Sequence, residues 1–210
     1  MVHPSKRRLS RKKRSQGKAN FEDIHLSAGI GTHMDAPMHF VKEGMGIDEI
    51  PLAQCMAPAY VIDLQEKVGG DSEYVVKEED IIEWEEEYGL IPDECFVLIR
   101  MGWDQFWNEE KFCKKNKKGE CFYPGISSKA AELLVDRKVK GVGIDTLGID
   151  PGIKKEAKAH EILLREDILI IENLANLSKL PPLGSYVFMI PMKIQDAPEA
   201  PTRAIAIVYS

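Results

Sequence analysis

The chain has 210 residues, of which 44% are hydrophobic and 30% charged, as expected for one globular domain with or without a tail. No stretch approaches the roughly 20 consecutive apolar residues that a membrane-spanning helix requires, so we expect no membrane span. The net charge of −6 combines +8 in residues 1–20 with −14 in residues 21–210. An acidic body argues against a nucleic-acid-binding surface on the main domain.

The N-terminal segment 1–20 contains eight lysines and arginines, no acidic residue and almost no large apolar residue. This composition predicts a basic, disordered arm in front of a domain that spans residues 21–210. An unusual start and an incomplete chain are the alternative interpretations. The segment lacks the apolar core of a secretory signal. Its charge could attract nucleic acid or anionic lipid, but a solvated tail is the simpler interpretation.

The next segment, residues 31–39, reads Gly-Thr-His-Met-Asp-Ala-Pro-Met-His and holds two of the five histidines. In an extended strand, His33 and Asp35 project to the same face, where one divalent cation could bind both. Pro37 bends or ends the strand because it lacks a backbone N–H. His39 follows the bend and could return toward the same point as a nearby base. These are the parts of a metal-assisted hydrolase.

The rest of the chain alternates between predicted strands and helices. Apolar runs predict strands at 56–64, 95–101, 139–144, 168–171, 187–194 and 203–209. Apolar residues at helical spacing predict helices at 77–88, 127–137 and 157–165, the second with Ser127 or Ser128 as its N-cap. This alternation indicates the α/β class.

The four cysteines have neither the short spacing of a zinc knuckle nor that of a redox motif. Cys113 and Cys121 flank a lysine-rich loop and could pair, although a disulfide is only one option. Cys95 begins an apolar strand and is predicted to be a buried thiol. Few cysteines and no secretory signal suggest a reducing, cytoplasmic location.

Three carboxylates follow the later buried strands. Glu172 emerges directly from an apolar run, where a buried charge requires a partner. A cation would serve, and so would a lysine or an arginine. Asp145 and Asp150 end another buried strand, where they could shape a pocket or bind backbone amides.

Several motifs in order resemble those of the cyclase family, which includes kynurenine formamidases and isatin hydrolases. Residues 31–39 are similar to its Gly-Thr-His-x-Asp-x-Pro-x-His signature. Residues 100–103 and Trp107 resemble its strand end and Gly-Trp turn, residues 122–127 its Pro-Gly-Ile-Ser helix start, and residues 143–150 its Gly-Ile-Asp strand and loop. His160 and Glu172 match the spacing of a later His and Glu of the family.

The resemblance implies a fold and a metal site. The expected fold is a swivelling β/β/α domain that forms a homo-oligomer, commonly a dimer whose neighbouring chain borders the pocket. The expected ligands of Zn²⁺ or Mn²⁺ are His33, Asp35, His160 and Glu172, with His39 outside the ligand set as the acid/base.

One position departs from the family pattern. The first signature histidine, a ligand of one of two zinc ions in the formamidases, falls on Gly29. We therefore expect one tightly bound metal per chain, although two remain an alternative. His25 could substitute as a ligand if its strand is unbroken.

The resemblance also implies a reaction, the hydrolysis of an amide-like C–N bond in a small molecule such as a formamide or a cyclic amide. Trp103, Phe106 and Trp107 are candidates to flank a flat substrate, and ordinary packing is the alternative for all three. A member of the same fold that binds a metal or a small ligand without catalysis is the alternative function.

Overall fold

The computed structural model describes residues 9–152 and 156–209. The helices are α1 (Gln65–Val68), α2 (Glu78–Tyr88), α3 (Ser128–Asp136) and α4 (Lys158–Arg165). The longer strands are β1 (Leu9–Gln16), β2 (Ala19–Leu26), β3 (His33–Asp35), β4 (Met56–Asp63), β6 (Phe96–Arg100), β10 (Gly141–Ile144), β11 (Leu169–Glu172), β12 (Ser185–Pro191) and β13 (Glu199–Val208). Four two-residue strands complete the set: β5 (Val75–Val76), β7 (Lys114–Lys115), β8 (Cys121–Phe122) and β9 (Gly125–Ile126).

Seven strands form a closed barrel in the order β10-β11-β3-β13-β12-β4-β6. Strands β4, β6, β10 and β11 run parallel to their neighbours within that group. Strand β3 is antiparallel to both β11 and β13, and it therefore joins an early segment of the chain to two late ones. The α/β class predicted from the alternating pattern is confirmed.

The barrel strands are apolar on both faces because each face is covered. In β6, Phe96 and Leu98 point into the barrel interior, while Val97 and Ile99 belong to a second core between barrel and helices. Helices α2, α3 and α4 supply the other half of that second core, in keeping with the expected β/β/α domain. This two-sided burial explains the continuous apolar runs in the sequence.

The predicted helices are confirmed with ends shifted by one residue at most. The N-cap of α3 is Ser127, whose hydroxyl oxygen accepts a hydrogen bond from Ala130 N at 3.1 Å. The last strand begins earlier than predicted, at Glu199, because residues 199–201 pair with β3. The local sequence carries no strand signal there, since Pro198 lies just before the strand and Pro201 within it.

The disordered arm expected over residues 1–20 is wrong for its second half. Strands β1 and β2 form an antiparallel hairpin around a turn at Gly17, whose φ is +63°. Opposite charges face each other across it, with Arg14 Nη2 2.6 Å from Asp23 Oδ1. Residues 1–8 of the predicted arm lie outside the described residues, and the division of the chain at residue 20 remains a prediction.

Cys113 and Cys121 form a disulfide, while the Cys55 and Cys95 thiols are buried and free. The pairing that the sequence left as one option is therefore the one the structure has. Disulfides are typical of oxidising compartments, so the cytoplasmic location stays a prediction. Within residues 9–152 and 156–209, no helix is both long and apolar enough to cross a membrane.

Candidate metal centre

Ionisable side chains gather on one face of three adjacent strands, β11, β3 and β13. Met34 belongs to the barrel interior, so His33 and Asp35 face the opposite side. Glu172 of β11 stands directly across from His33, and Glu199 of β13 directly across from Asp35. Side chains paired in this way lie about 5 Å apart, and the register alone therefore brings four of them together.

Helix α4 adds His160 to this face. The imidazole nitrogens and carboxylate oxygens then lie within 4 Å of one another in pairs. His33 Nε2 lies 3.2 Å from Glu172 Oε2 and 3.7 Å from Asp35 Oδ1. His160 Nε2 lies 3.1 Å from Glu172 Oε1 and 3.4 Å from Asp35 Oδ2. Each of the two carboxylates thus has one oxygen near His33 Nε2 and the other near His160 Nε2. The structure brings together all four residues that the sequence predicted as ligands.

A hydrogen bond at Nδ1 orients each imidazole, while Nε2 faces the carboxylates. His33 Nδ1 lies 2.8 Å from the carbonyl oxygen of Gly31, and His160 Nδ1 lies 2.6 Å from Asp150 Oδ2. A neutral imidazole that donates from Nδ1 presents a lone pair at Nε2. Both Nε2 atoms face the carboxylates, which is the arrangement that metal-ligating histidines adopt.

Among the protein groups alone, the electrostatics of the cluster favour charged forms despite burial, and a cation bound at a ring nitrogen would displace the proton held there. Burial raises the pKa of Glu172, but the neighbouring imidazoles of His160 and His33 outweigh it and hold this pKa below its usual range. Burial lowers the pKa of His160, but Asp150, Asp35 and Glu172 together raise it well above the usual value. Glu172 Oε1 also accepts a hydrogen bond from Ile149 N at 2.8 Å, which fixes the carboxylate in place.

The donor set fits a divalent cation. Asp35 Oδ1 is buried and has no hydrogen-bond partner among the described residues, and a buried carboxylate oxygen in that state requires a positive charge nearby. Two groups of three donors lie within metal-binding reach, His33 with Asp35 and Glu172, and Asp35 with His39 and His160. Imidazole and carboxylate are the ligands that Zn²⁺ and Mn²⁺ accept.

His39 lies on the solvent side of this cluster. It ends a short 3-10 turn over Pro37–His39 that follows β3, and it is exposed. Its ring centroid lies 6.0 Å from that of His160, and Phe40 stacks on His160 at 5.0 Å with an interplanar angle of 26°. Phe40 was missed by sequence reasoning, although its place directly after His39 was a usable signal.

The three aromatic candidates have packing contacts of their own. Trp103 is fully buried and donates its Nε1–H to the carbonyl oxygen of Phe112 at 3.1 Å. Phe106 packs against the helix-side core, and Trp107 packs edge-on against Phe112. The packing alternative therefore holds for Trp103, which has no surface left for a substrate.

Asp145 and Asp150 bind backbone amides, as one of the sequence alternatives predicted. Asp145 accepts hydrogen bonds from Met101 N and Trp103 N at 2.9 and 2.8 Å, and burial raises its pKa to about 6. Asp150 accepts from Ala159 N at 2.8 Å at the start of α4, in addition to His160. Asp145 thus holds the chain after β6, and Asp150 holds the start of the helix that carries His160.

Glu199 is a residue of the cluster that sequence reasoning missed. Its Oε2 lies 3.9 Å from His33 Nε2, and the side chain is 19% exposed. No local pattern distinguishes it, because its position depends on the pairing of β13 with β3. His25, the proposed substitute ligand, instead lies exposed on β2 opposite Ser10 and belongs to neither donor group.

The sequence matches known proteins along most of its length. A family model described as a putative cyclase matches residues 3–151. An isatin hydrolase of Roseibium aggregatum is 31% identical over 193 residues, covering 87% of this chain and 73% of that protein. A kynurenine formamidase of Delftia acidovorans is 25% identical over 189 residues, covering 89% of this chain and 79% of that protein.

The fold matches as well. The solved structure of isatin hydrolase A from Labrenzia aggregata bound to benzyl benzoate superposes with a TM-score of 0.89 at 28% identity. The superposition covers 96% of this chain and 83% of the other. The likeness therefore extends over nearly the whole chain.

Proposed function

Because this chain belongs to the cyclase family, we propose that it is a metal-dependent hydrolase that cleaves an amide-like C–N bond in a small molecule. The observation that carries the proposal is the convergence of two oriented imidazoles and two spanning carboxylates on one buried point. The similarity to isatin hydrolases and kynurenine formamidases supports the bond type.

We assign the metal, Zn²⁺ or Mn²⁺, to His33, Asp35, His160 and Glu172. A divalent cation held there would polarise a substrate carbonyl and lower the pKa of a bound water toward ~7. The protein's part is to keep the four donors in place through Gly31, Asp150 and the register of β3 with β11.

We assign the proton transfers to His39. Its ring is exposed and lies beside the ring of His160, so it can take a proton from the attacking water and return one to the leaving nitrogen. One of its ring nitrogens also lies within 4.8 Å of donor atoms of Asp35 and His160. A ligand role for His39 is therefore the competing assignment. The experiment below distinguishes it from the acid/base role.

The substrate that suits this site is an aromatic formamide or a cyclic amide fused to an aromatic ring. Phe40 is 39% exposed and presents an aromatic surface next to His39. Flat aromatic groups stack favourably on such surfaces. The relatives named for isatin and kynurenine chemistry act on substrates of this class.

We further propose that the chain forms a homodimer through the exposed ends of β12 and β13. Ile205 and Ile207 are 48% and 47% exposed and stand opposite Phe188 and Tyr186 in register. A continuous apolar surface on two adjacent strands is typical of a protein interface.

The test begins with protein purified without chelator. Elemental analysis should find Zn²⁺ or Mn²⁺, and removal of the metal should abolish hydrolysis of N-formylkynurenine or isatin, followed by absorbance. His39→Ala should keep the metal and lose about 10²–10⁴-fold in turnover. Asp35→Ala should instead lose the metal, because it removes a carboxylate that spans both imidazoles.

The outcomes discriminate between the assignments. Loss of the metal in His39→Ala would make His39 a ligand. A wild-type protein that holds metal but hydrolyses neither compound nor other formamides and cyclic amides would favour a binding protein of the same fold.

A further inference from the structure

Gly29 and Glu199 meet at the edge of the metal centre. A Cβ atom added at Gly29 would lie 2.2 Å from Glu199 Oε2 and 2.7 Å from Glu199 Cδ. The φ angle of Gly29 is outside the left-handed region, so its backbone does not require glycine. The missing side chain at residue 29 is what leaves room for the carboxylate of Glu199.

The carboxylate of Glu199 points at the same ring nitrogen as two other carboxylates. Glu172, Asp35 and Glu199 lie 3.2, 3.7 and 3.9 Å from His33 Nε2. In the part of the chain that the structure describes, Glu199 lies within ion-pair distance of one basic side chain, that of His33. Three converging carboxylates repel one another unless a cation lies between them.

A second observation points to a cation at this place rather than to an acidic surface cluster. Asp35 Oδ1, the oxygen on the His33 side, is buried and has no hydrogen-bond partner among the described residues. The Asp35 side chain is 2% exposed. A buried carboxylate oxygen of this kind is directed at an electropositive partner.

We propose that Glu199 is a metal ligand, which coordinates the cation on the His33 side of the centre together with His33 and Asp35. This assignment rests on the proposed function, because it adds a donor to the same metal site. Glu199 supplies from β13 the donor that residue 29, as a glycine, does not.

The proposal gives each half of the centre at least three donors without using His39. On one side stand His33 and Glu199, on the other His160, and the carboxylates of Asp35 and Glu172 lie near both imidazoles. The expectation of one tight metal, which followed from the missing donor at residue 29, then no longer holds. We expect two Mn²⁺ ions per chain at saturation.

The test is metal binding by the full-length protein, measured after chelation by calorimetric titration with Mn²⁺ and separately with Zn²⁺. Glu199→Ala and Glu199→Gln should weaken binding at least about tenfold or remove one of two steps. Glu94→Gln is the matched control. It removes one carboxylate at the far, N-terminal end of β6, where Glu94 pairs with Lys140 at 3.2 Å, and should bind like the wild type.

A second variant uses the contact between the two residues. Gly29→Ala places a methyl group where the Glu199 carboxylate lies, and the flexible end of that side chain has to move away. Gly29→Ala should therefore weaken Mn²⁺ binding about as much as Glu199→Ala does. The double variant should be no weaker than either single one, since both changes remove the same interaction. Metal-free melting temperatures of all variants establish that they fold.

The outcomes separate this assignment from the proposed function. A wild-type protein that binds neither Mn²⁺ nor Zn²⁺ overturns both. A metal-binding wild type whose affinity and stoichiometry are unchanged in Glu199→Ala overturns the assignment of Glu199 alone. Additive losses in the double variant also overturn it, because Gly29 would then act independently of Glu199.

Discussion

At the scale of single residues, the orientation of His160 depends on Asp150. The carboxylate accepts hydrogen bonds from His160 Nδ1 and from two backbone amides at the start of α4. One side chain therefore fixes both the ring and the helix end that carries it. The equivalent partner of His33 is a backbone oxygen, that of Gly31, which mutation of a side chain cannot remove.

We predict that Asp150→Ala weakens metal binding about 10–100-fold, the usual effect of removing the partner of a ligating histidine. It should also lower the melting temperature, because the amides of Ala159 and His160 lose their acceptor. Asp150→Asn keeps one acceptor oxygen and should lose less of both. Chelator competition measures the affinity, and an unchanged value in folded Asp150→Ala would show that His160 is oriented by other contacts.

The residues of the centre differ in how far sequence reasoning could reach them. His33 and Asp35 are two positions apart, so the twofold period of a strand predicts their shared face. Glu199 joins them only through the pairing of β13 with β3. That pairing depends on the whole barrel, and no sequence pattern near residue 199 indicates it. Buried Trp103 was considered as a substrate contact because a motif shows residue type and not exposure.

At the scale of elements, an ion pair with a buried carboxylate joins α2 to the end of α3. Arg137 donates two hydrogen bonds to Glu85, at 2.7 and 2.8 Å, and Glu85 also accepts from Ile91 N. The Glu85 side chain is 4% exposed. The hydrogen bonds from Arg137 outweigh burial and lower the pKa of Glu85.

We predict that Arg137→Met destabilises the protein at pH 7 by about 1–3 kcal/mol, because it leaves a buried carboxylate without its partner. Because folding lowers the pKa of Glu85, the ion pair contributes its full share to the free energy of unfolding above the ordinary glutamate pKa of about 4.3. This contribution is lost as the pH falls through the pKa that Glu85 has in the folded protein. Urea unfolding at pH 7 and near pH 3.5 should therefore show a smaller difference at the lower pH.

A neighbouring ion pair provides the control for this prediction. Lys129 and Glu78 also join α3 to α2, at 3.0 Å, but Lys129 is 72% exposed. Lys129→Met should change the stability little, since solvent screens exposed pairs. Equal losses in the two variants would mean that burial of Glu85 is not what makes its ion pair matter.

Most element boundaries followed from local patterns, and the exceptions have physical causes. The helices and inner strands are apolar on the faces they bury, which the sequence shows directly. Strand β1 is rich in lysine and arginine and almost all exposed, so nothing in its composition predicts order. Its structure comes from pairing with β2, where acidic residues face the basic ones.

At the scale of the whole molecule, the exposed ends of β12 and β13 form the interface of the proposed dimer. We predict that the wild type sediments with the mass of two chains. The double variant Ile205→Lys with Ile207→Lys should sediment as a monomer, because two charges would have to be buried in the interface. Leu90→Lys, at a residue that is 75% exposed elsewhere, should leave the dimer intact.

Metal content of the same samples provides the second measurement. Neither isoleucine belongs to the donor cluster, so a monomeric variant should keep its metal. A wild type that sediments as a single chain at micromolar concentration would refute the dimer.

The position of β3 between β11 and β13 has a consequence for the order of events during synthesis. A ribosome makes residues 33–35 more than 130 residues before β11 begins at Leu169, and β13 follows later still. The four assigned ligands cannot meet until β11 has emerged, and the barrel cannot close until residue 199 has emerged. The nascent chain therefore carries an open sheet edge over that whole interval, and Glu199 can join the centre only at its end.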